Sequence, residues 1–468
     1  MKVTPGKRFT LCSPDELGSL DYTTSVILLN TYSAQDRKLI RSALKPGHRK
    51  NRLTPSEKDA YNLCIHEYTH YLDLTTTVWG TEFLYRRNAA LPKLSAQGKS
   101  AASVVMLNIT EIMMHEVFNR VHHKAKLENL VTKHRLHHCE TYGSLVIVLL
   151  YKDGELIAET AFSMLSVLEA NAIANEYEGE YKWVACRLGG LDRFQESRID
   201  AKFKHLLEDS GRLEYNIVHI LIAIHFPNLT VRRRLKLAAT LCHLALDMSS
   251  LNLAMLANVI NDFVSNKWLG DALCNDLCRG MSRHVVVFYF ILMLYGYTND
   301  IGLTAEQLSE RIETSARQLI DEMLLHWGVE YPLSEGLSDR EFQFCIKSLR
   351  KECGKERGKF MLPRSLQAAT YNRKIRKTSL STSQAFRRFK LPDLLLDDTT
   401  RVRAPSRIRA NVLRHWDAMY DECNALDQLV TDSEAMRKFH MKPGAYGPMQ
   451  LRREDHFMQQ LAMTDNEP

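Results

Sequence analysis

The sequence lacks both a long apolar run and a pattern of paired cysteines. The longest apolar runs, 217–224 and 285–295, are shorter than the roughly 20 residues that a membrane helix needs, so we expect buried segments and no membrane association. The chain does not open on a charged segment followed by an apolar one, so no signal peptide is expected. The ten cysteines are scattered, which favours a reducing, cytoplasmic setting over a disulfide framework.

No fixed-period repeat is present, which argues against a solenoid. The 468 residues, 45% apolar and 25% charged, are typical of a globular protein with a large core. Helical spacing dominates from 199 to 328, whereas two strand-like runs around Asp153-Gly154 predict a β-hairpin at 144–162. The other elements predicted before that hairpin are a strand at 25–32 and helices at 34–44 and 104–138. The sequence therefore predicts a mostly helical α+β fold.

One segment carries an H-E-x-x-H pattern, His66-Glu67-Tyr68-Thr69-His70. Thr54-Pro55-Ser56-Glu57 has the residues of a helix start, and residues four apart on a helix share a face. His66 and His70 therefore direct two imidazoles to one point, where they suit a zinc ion. Glu67 lies about a quarter turn away, where it can take a proton from a metal-bound water. The alternative is a surface helix with two chance histidines.

Asp73 lies seven residues after His66, so it returns to the same stripe of the helix. A carboxylate there can hold an imidazole through the ring nitrogen that does not bind metal. We therefore predict that Asp73 supports one of the two histidines.

The motif helix resembles the zincin metallopeptidases, and the resemblance implies a zinc-dependent hydrolase of peptide bonds. The class with H-E-x-x-H-x-x-G-x-x-H/D is excluded because Asp73 and Thr76 stand at its last two defining positions. Downstream, Glu169-Ala170-Asn171-Ala172 resembles the Glu-x-x-Ala helix of the glutamate-zincins, whose Glu is the third zinc ligand. The resemblance thus implies that Glu169 joins His66 and His70.

Two alternatives to Glu169 remain open. Glu176 lies on the same helix face but two turns away, about 10 Å along the axis, so both glutamates cannot hold one ion. We predict that Glu176 either supports a ligand from behind or is itself the alternative ligand. Ser166-x-x-Glu169 could instead be a capping box, which would give Glu169 a structural role.

Resemblance to zincins has two further implications. A Tyr, His or Arg is expected to stabilise the tetrahedral oxyanion, and the candidates are Tyr177, Tyr215, His219 and His225. Of these we name Tyr215, for which a core or capping role is the commoner alternative. Zincins also bind an extended substrate along the edge of a sheet beside the metal helix, and the hairpin at 144–162 is assigned to that sheet.

Histidines are frequent in the predicted helix at 104–138. His134 and His138 are four apart, a spacing that suits a second metal site on a helix. No acid lies between them in the catalytic position, so solvated helix surface is the favoured interpretation.

A basic stretch covers residues 347–390, where 14 Lys or Arg residues face two acids, although the whole chain carries a net charge of only +7. We predict a flexible or partly helical arm that binds nucleic acid or another acidic partner. The alternative is a solvated linker that docks on the acidic remainder of the same chain. Residues 393–468 are predicted to form a small helical cap.

The sequence thus predicts a zincin-like domain with a small sheet at 1–200, a helical domain at 201–340, and a basic arm with a small helical region at 341–468. The predicted function is a cytoplasmic zinc metallopeptidase acting on a protein or peptide. The alternative is a regulatory or nucleic-acid-associated protein with a structural zinc site and a basic binding arm.

Overall fold

The computed structural model describes most of the chain, namely residues 17–22, 25–44, 54–85, 119–122, 130–139, 143–188, 192–329, 335–354, 361–378 and 381–408. Within these residues the protein is mostly helical and contains two four-stranded sheets, so the predicted mostly helical α+β class is confirmed. No single described helix is both long and apolar enough to cross a bilayer, and two bent pairs of helices reach that length only when combined.

The helices follow one another in chain order as α1 Arg37–Leu44, α2 Pro55–Thr76, α3 Met164–Leu188, α4 Arg193–Leu207, α5 Leu213–His225, α6 Val231–Asp247, α7 Ser250–Phe263, α8 Lys267–Cys278, α9 Arg283–Asp300, α10 Ala305–His326, α11 Glu335–Gly354, α12 Met361–Thr378 and α13 Thr382–Ala385. The strands are β1 Ser19–Asp21, β2 Val26–Leu29, β3 Arg120–Val121, β4 Val131–Cys139, β5 Gly143–Lys152, β6 Glu155–Phe162, β7 Leu394–Leu396 and β8 Arg401–Val402. The helices predicted between 199 and 328 are therefore present.

The motif helix α2 lies in the first of two compact units. This unit also contains α1, the part of α3 from Asn171 onward, residues 192–201, and the described chain from Phe342 onward. Its sheet has the order β1-β2-β7-β8, with β2 and β7 parallel and Ile27 opposite Leu394. Helix α2 packs against β1, β2, α12 and α13. The end of the chain was predicted to be a helical cap, but β7 is a buried strand of this sheet; residues after 408 lie outside the described residues.

The second unit contains an antiparallel sheet of order β3-β6-β5-β4 and the helices from α5 to α10. Its β5–β6 hairpin confirms the predicted hairpin. Asp153 and Gly154 have φ of 51° and 86°, the left-handed values of a tight hairpin turn, which is why a glycine follows the aspartate here. Strands β1 and β2 of the other sheet pack on α2, and the predicted place of the hairpin beside the motif helix stays a prediction.

The helix predicted at 104–138 is wrong over its described part, because residues 120–121 and 131–138 are strands. Strand β4 pairs with β5 along its whole length, and this pairing overrides the helical pattern of its sequence. His134 and His138 are therefore about 13 Å apart along a strand rather than one helical turn apart. The second metal site considered for them loses its geometric basis.

Candidate metal centre

The motif helix begins where the sequence predicts. The Thr54 side chain accepts a hydrogen bond from the Glu57 backbone N–H, and the Glu57 carboxylate accepts one from the Thr54 N–H at 2.7 Å. Pro55 occupies the first helical position, so the helix start is a complete capping box. Ile65 and Leu72 are fully buried on the packed face of α2. The helix is thus held rigidly on one side, as a site built on it requires.

The two motif histidines face each other. Their Nε2 atoms lie 3.1 Å apart, and their ring planes meet at 79°. Two nitrogens bound to one tetrahedral zinc at about 2.05 Å would be about 3.3 Å apart. The observed separation of 3.1 Å is close to that distance, although a hydrogen bond between the two rings has the same length.

Glu169 completes a group of three side chains that could bind a metal ion. One donor atom from each of His66, His70 and Glu169 lies within 4.8 Å of the other two, and among the described residues this is the group of three or more acid, histidine or cysteine side chains that could hold a metal ion. His70 and Glu169 are 4% and 6% exposed. In the structure Ser166 exchanges hydrogen bonds with Ser163 at the start of α3, which does not support the capping-box alternative for Glu169.

A series of polar contacts, which we call the ladder, fixes α3, the helix that carries Glu169, against the motif helix α2. Lys58 and Asn62 of α2 bind the carboxylate of Glu180, at 2.8 and 3.1 Å. About three turns further along α2, Asp73 accepts hydrogen bonds from the Asn171 amide at 2.9 Å to both oxygens. Because positions rise along α2 as they fall along α3, the two helices run antiparallel. Glu169 is two residues from Asn171 on the same helix, so this ladder sets its height.

Glu176 sits in the middle of that ladder. Its Oε2 lies 3.3 Å from Nδ1 of His66, the ring nitrogen on the far side from His70. A carboxylate on Nδ1 keeps the proton there and leaves the Nε2 lone pair for a metal. The structure thus places Glu176 against His66, on the side of the ring away from His70, and whether it also supports a metal ligand stays a prediction.

Asp73 takes a different position from the one predicted. Its carboxylate is fully buried and binds Asn171 and the guanidinium of Arg376 instead of an imidazole. Seven residues of helix separate it from His66, about 10 Å along the axis, which is too far for direct contact. Asp73 therefore fixes the surrounding helices rather than a ligand.

Glu67, the residue after His66 on α2, is 3% exposed. Backbone at Gly18 covers it so closely that a Cβ there would come within 2.9 Å of Glu67 Oε1. Burial raises the pKa of the neighbouring Cys64 thiol, and the charge of Glu67 adds to that effect. No sequence pattern indicates the role of Gly18, because that role depends on a tertiary contact between the residue before β1 and helix α2.

Three of the four candidates for oxyanion stabilisation lie on α5. Tyr215 is half-buried near the start of α5, with the Arg212 guanidinium 5.9 Å from its ring centre. His219 is buried and its Nε2 donates to the Ala170 carbonyl at 3.1 Å, while burial lowers its pKa to about 4. Burial also lowers the pKa of His225. The role of Tyr215 stays a prediction.

Helices α12 and α13, which belong to the predicted basic arm, pack onto the motif helix. Arg376 donates to the Thr76 hydroxyl at 3.0 Å besides its ion pair with Asp73, and Arg373 donates to the Thr76 carbonyl at 2.7 Å. Thr382 donates its N–H to Asn175 of α3 at 2.7 Å. The described part of the arm is folded and contains helices, which agrees with the partly helical form of the prediction rather than with the flexible one. Sequence could not pair Arg376 with Asp73, because the two are 303 positions apart.

Two imidazole nitrogens and one carboxylate oxygen form the donor set of a catalytic zinc site, which leaves a fourth position for water. The facing Nε2 atoms and the carboxylate behind His66 fit such an ion. No protein-family model, no curated protein and no solved structure matches the chain.

Proposed function

We propose that this chain is a zinc-dependent metallopeptidase of the glutamate-zincin type. The observation that carries the proposal is the convergence of His66, His70 and Glu169 beside a buried Glu67. A group of ligands alone would suit any zinc site. An additional carboxylate next to the ligands, but outside them, is what hydrolysis needs as a proton acceptor.

The residues have separate tasks in this proposal. Zinc bound by His66, His70 and Glu169 would lower the pKa of water to about 7 and polarise the scissile carbonyl. The Glu67 carboxylate accepts the proton of the attacking water and passes it to the leaving nitrogen. Glu176 keeps the Nδ1 proton of His66 in place. The substrate class, a protein or peptide, follows from the resemblance to zincins.

Bound zinc per chain, measured by elemental analysis, tests the site. We expect one zinc in the wild type and in Glu67→Gln, and weakened or absent zinc in His70→Ala and Glu169→Gln. Glu178→Gln is the matched control for Glu169→Gln, because it makes the same change on α3 at a residue that pairs with Lys182. No zinc in a folded wild type, or equal loss in the control, would contradict the assignment.

Peptide hydrolysis tests the reaction. A quenched-fluorescence peptide library should be cleaved by the wild type and not by Glu67→Gln, although both hold zinc. If both cleave equally, the activity comes from another source. If neither cleaves any peptide or unfolded protein, the hydrolase proposal fails while the zinc site stands.

A structural zinc site is the second candidate, because His70 and Glu169 are nearly inaccessible to solvent. Structural zinc contributes directly to folding, so its removal by a chelator would unfold the first unit. A catalytic site would lose activity on chelation and keep its circular dichroism spectrum and melting behaviour. Chelation followed by calorimetry therefore separates the two.

A further inference from the structure

In the second half of the basic stretch, buried and exposed basic side chains lie on different faces of the structure. On α12 the inner face carries Arg373 and Arg376, which are buried against α2 and already have their partners. Between residues 365 and 377, where the burial of α12 is described, the exposed positions are 367, 371 and 374, spaced four and three apart, so they form one stripe along the helix. This stripe consists of Gln367, Tyr371 and Lys374.

A turn that contains Lys390 is fixed beside α12, and its side chains add further cations to the stripe. Asn372 is buried and exchanges two hydrogen bonds of 2.8 Å with the backbone of Lys390, which holds Lys390 beside the helix. The Lys390 ammonium then lies 4.6 Å from the centre of the Tyr371 ring. In the preceding turn Arg387 and Arg388 are exposed between two buried phenylalanines. We call Tyr371, Lys374, Arg387, Arg388 and Lys390 the outer cationic face.

No carboxylate balances this face within the described residues. The ion pairs of the described chain do not include Lys374, Arg387, Arg388 or Lys390. Docking on acidic residues of the same chain explains Arg376, which pairs with Asp73, but it leaves these four exposed charges unexplained. Exposed charges without local partners attract a polyanion from solution.

An exposed aromatic ring narrows the choice of polyanion. Tyr371 is 43% exposed even with Lys390 over its ring. Nucleic-acid strands without base pairing bind surfaces on which cations contact the phosphates and aromatic rings stack on bases. In a duplex the bases are stacked on one another, so their faces cannot stack on Tyr371. An acidic peptide would contact only the cations and would not account for the exposed ring. We propose that the outer cationic face binds single-stranded nucleic acid, independently of the chemistry at His66, His70 and Glu169.

The proposal makes two separable statements about binding. Four phosphate contacts on a single strand give a slope of log affinity against log salt of about −3, since each contributes about −0.7. Removing two cations should reduce that slope by about 1.4. Removing the ring should weaken binding about tenfold without changing the slope, because stacking releases no counterions.

Fluorescence anisotropy of the full chain with labelled 15-mers of deoxythymidine and of uridine tests both statements. We expect Lys374→Gln/Arg388→Gln to flatten the salt dependence and Tyr371→Ala to weaken binding at an unchanged slope. The matched control is Lys38→Gln/Arg41→Gln, which removes the same charge from exposed positions of α1. Equal melting temperatures establish that all variants are folded.

Several outcomes would overturn the proposal. One is the absence of binding at low salt to either strand. Another is that a 15-base-pair duplex or a polyglutamate competitor binds as tightly as the single strands, which would show a general response to negative charge. A third is that the α1 control weakens binding as much as the variant of the outer cationic face. Preference for the uridine or the deoxythymidine strand supports the proposal and identifies the type of strand.

Discussion

Replacing Arg376 by methionine should unfold the first unit at a much lower temperature than the wild type. Arg376 is 2% exposed and Asp73 is fully buried, so the change leaves a carboxylate in the interior with only the Asn171 amide as a polar partner. Removing one partner of a buried ion pair costs about 3–5 kcal/mol. A loss of 1 kcal/mol lowers the midpoint by about 2–4 °C in a unit of 150–250 residues, so the shift should be roughly 6–20 °C.

Differential scanning calorimetry with a double-mutant cycle measures this shift. Asp73→Asn leaves the guanidinium buried without its anion and should also destabilise, whereas Asp73→Asn/Arg376→Met removes both charges and should cost less than the sum. Lys374→Met is the matched control, because it removes a cation from an exposed position of the same helix and should change stability by no more than about 0.5 kcal/mol. If Arg376→Met melts within 2 °C of this control, about the shift for 1 kcal/mol, the inferred role of the ion pair is wrong.

Three further predictions concern the metal centre and the second unit. Glu176→Gln should reduce zinc affinity about 10- to 100-fold, measured by competition with a chelator, because the carboxylate behind His66 is lost. Gly18→Ala should keep zinc bound but reduce kcat by about tenfold or more, since its new methyl group displaces the Glu67 carboxylate. Burial lowers the pKa of His284 to about 4, below the unfolded value of about 6.5, so the unfolded state binds the proton more readily. The second unit should therefore lose up to about 3 kcal/mol as the pH falls from 6.5 to 4, and His284→Gln should flatten that part of the stability profile.

Each of these three has an outcome that counts against it. Unchanged zinc affinity in Glu176→Gln would mean that the tautomer of His66 needs no carboxylate. Loss of zinc in Gly18→Ala would point to general damage to the site rather than a displaced base. For His284, an equal loss of stability between pH 6.5 and 4 in the variant and the wild type would assign the acid sensitivity to other groups.

Local signals were sufficient for the elements whose reasons are local. The capping box of Thr54 and Glu57, the spacing of His66 and His70, and the Asp153-Gly154 turn each lie within a few residues of sequence, and the structure contains the corresponding elements. Strand β4 was mistaken for helix because its state is decided by pairing with β5. The missed features are contacts between distant segments.

The same distinction applies to the candidate site. The facing imidazoles follow from helix geometry alone. The approach of Glu169 depends on the antiparallel ladder between α2 and α3, which the sequence suggested only through a resemblance. The cover that Gly18 provides for Glu67 and the ion pair of Asp73 with Arg376 require the tertiary structure, because their partners are remote in sequence.

The parallel pairing of β2 with β7 has a consequence for the order in which the chain is made. Ile27 pairs with Leu394, and the Tyr68 hydroxyl of the motif helix donates to the Pro392 carbonyl at 3.0 Å. The sheet under the motif helix therefore stays incomplete until residue 396 has been synthesised. At about 5–20 residues per second, this is roughly 15–65 s after the motif helix itself. The polar ladder between α2 and α3 needs only residues up to Glu180, so a ribosome-bound chain can form it well before the sheet under the motif helix is completed.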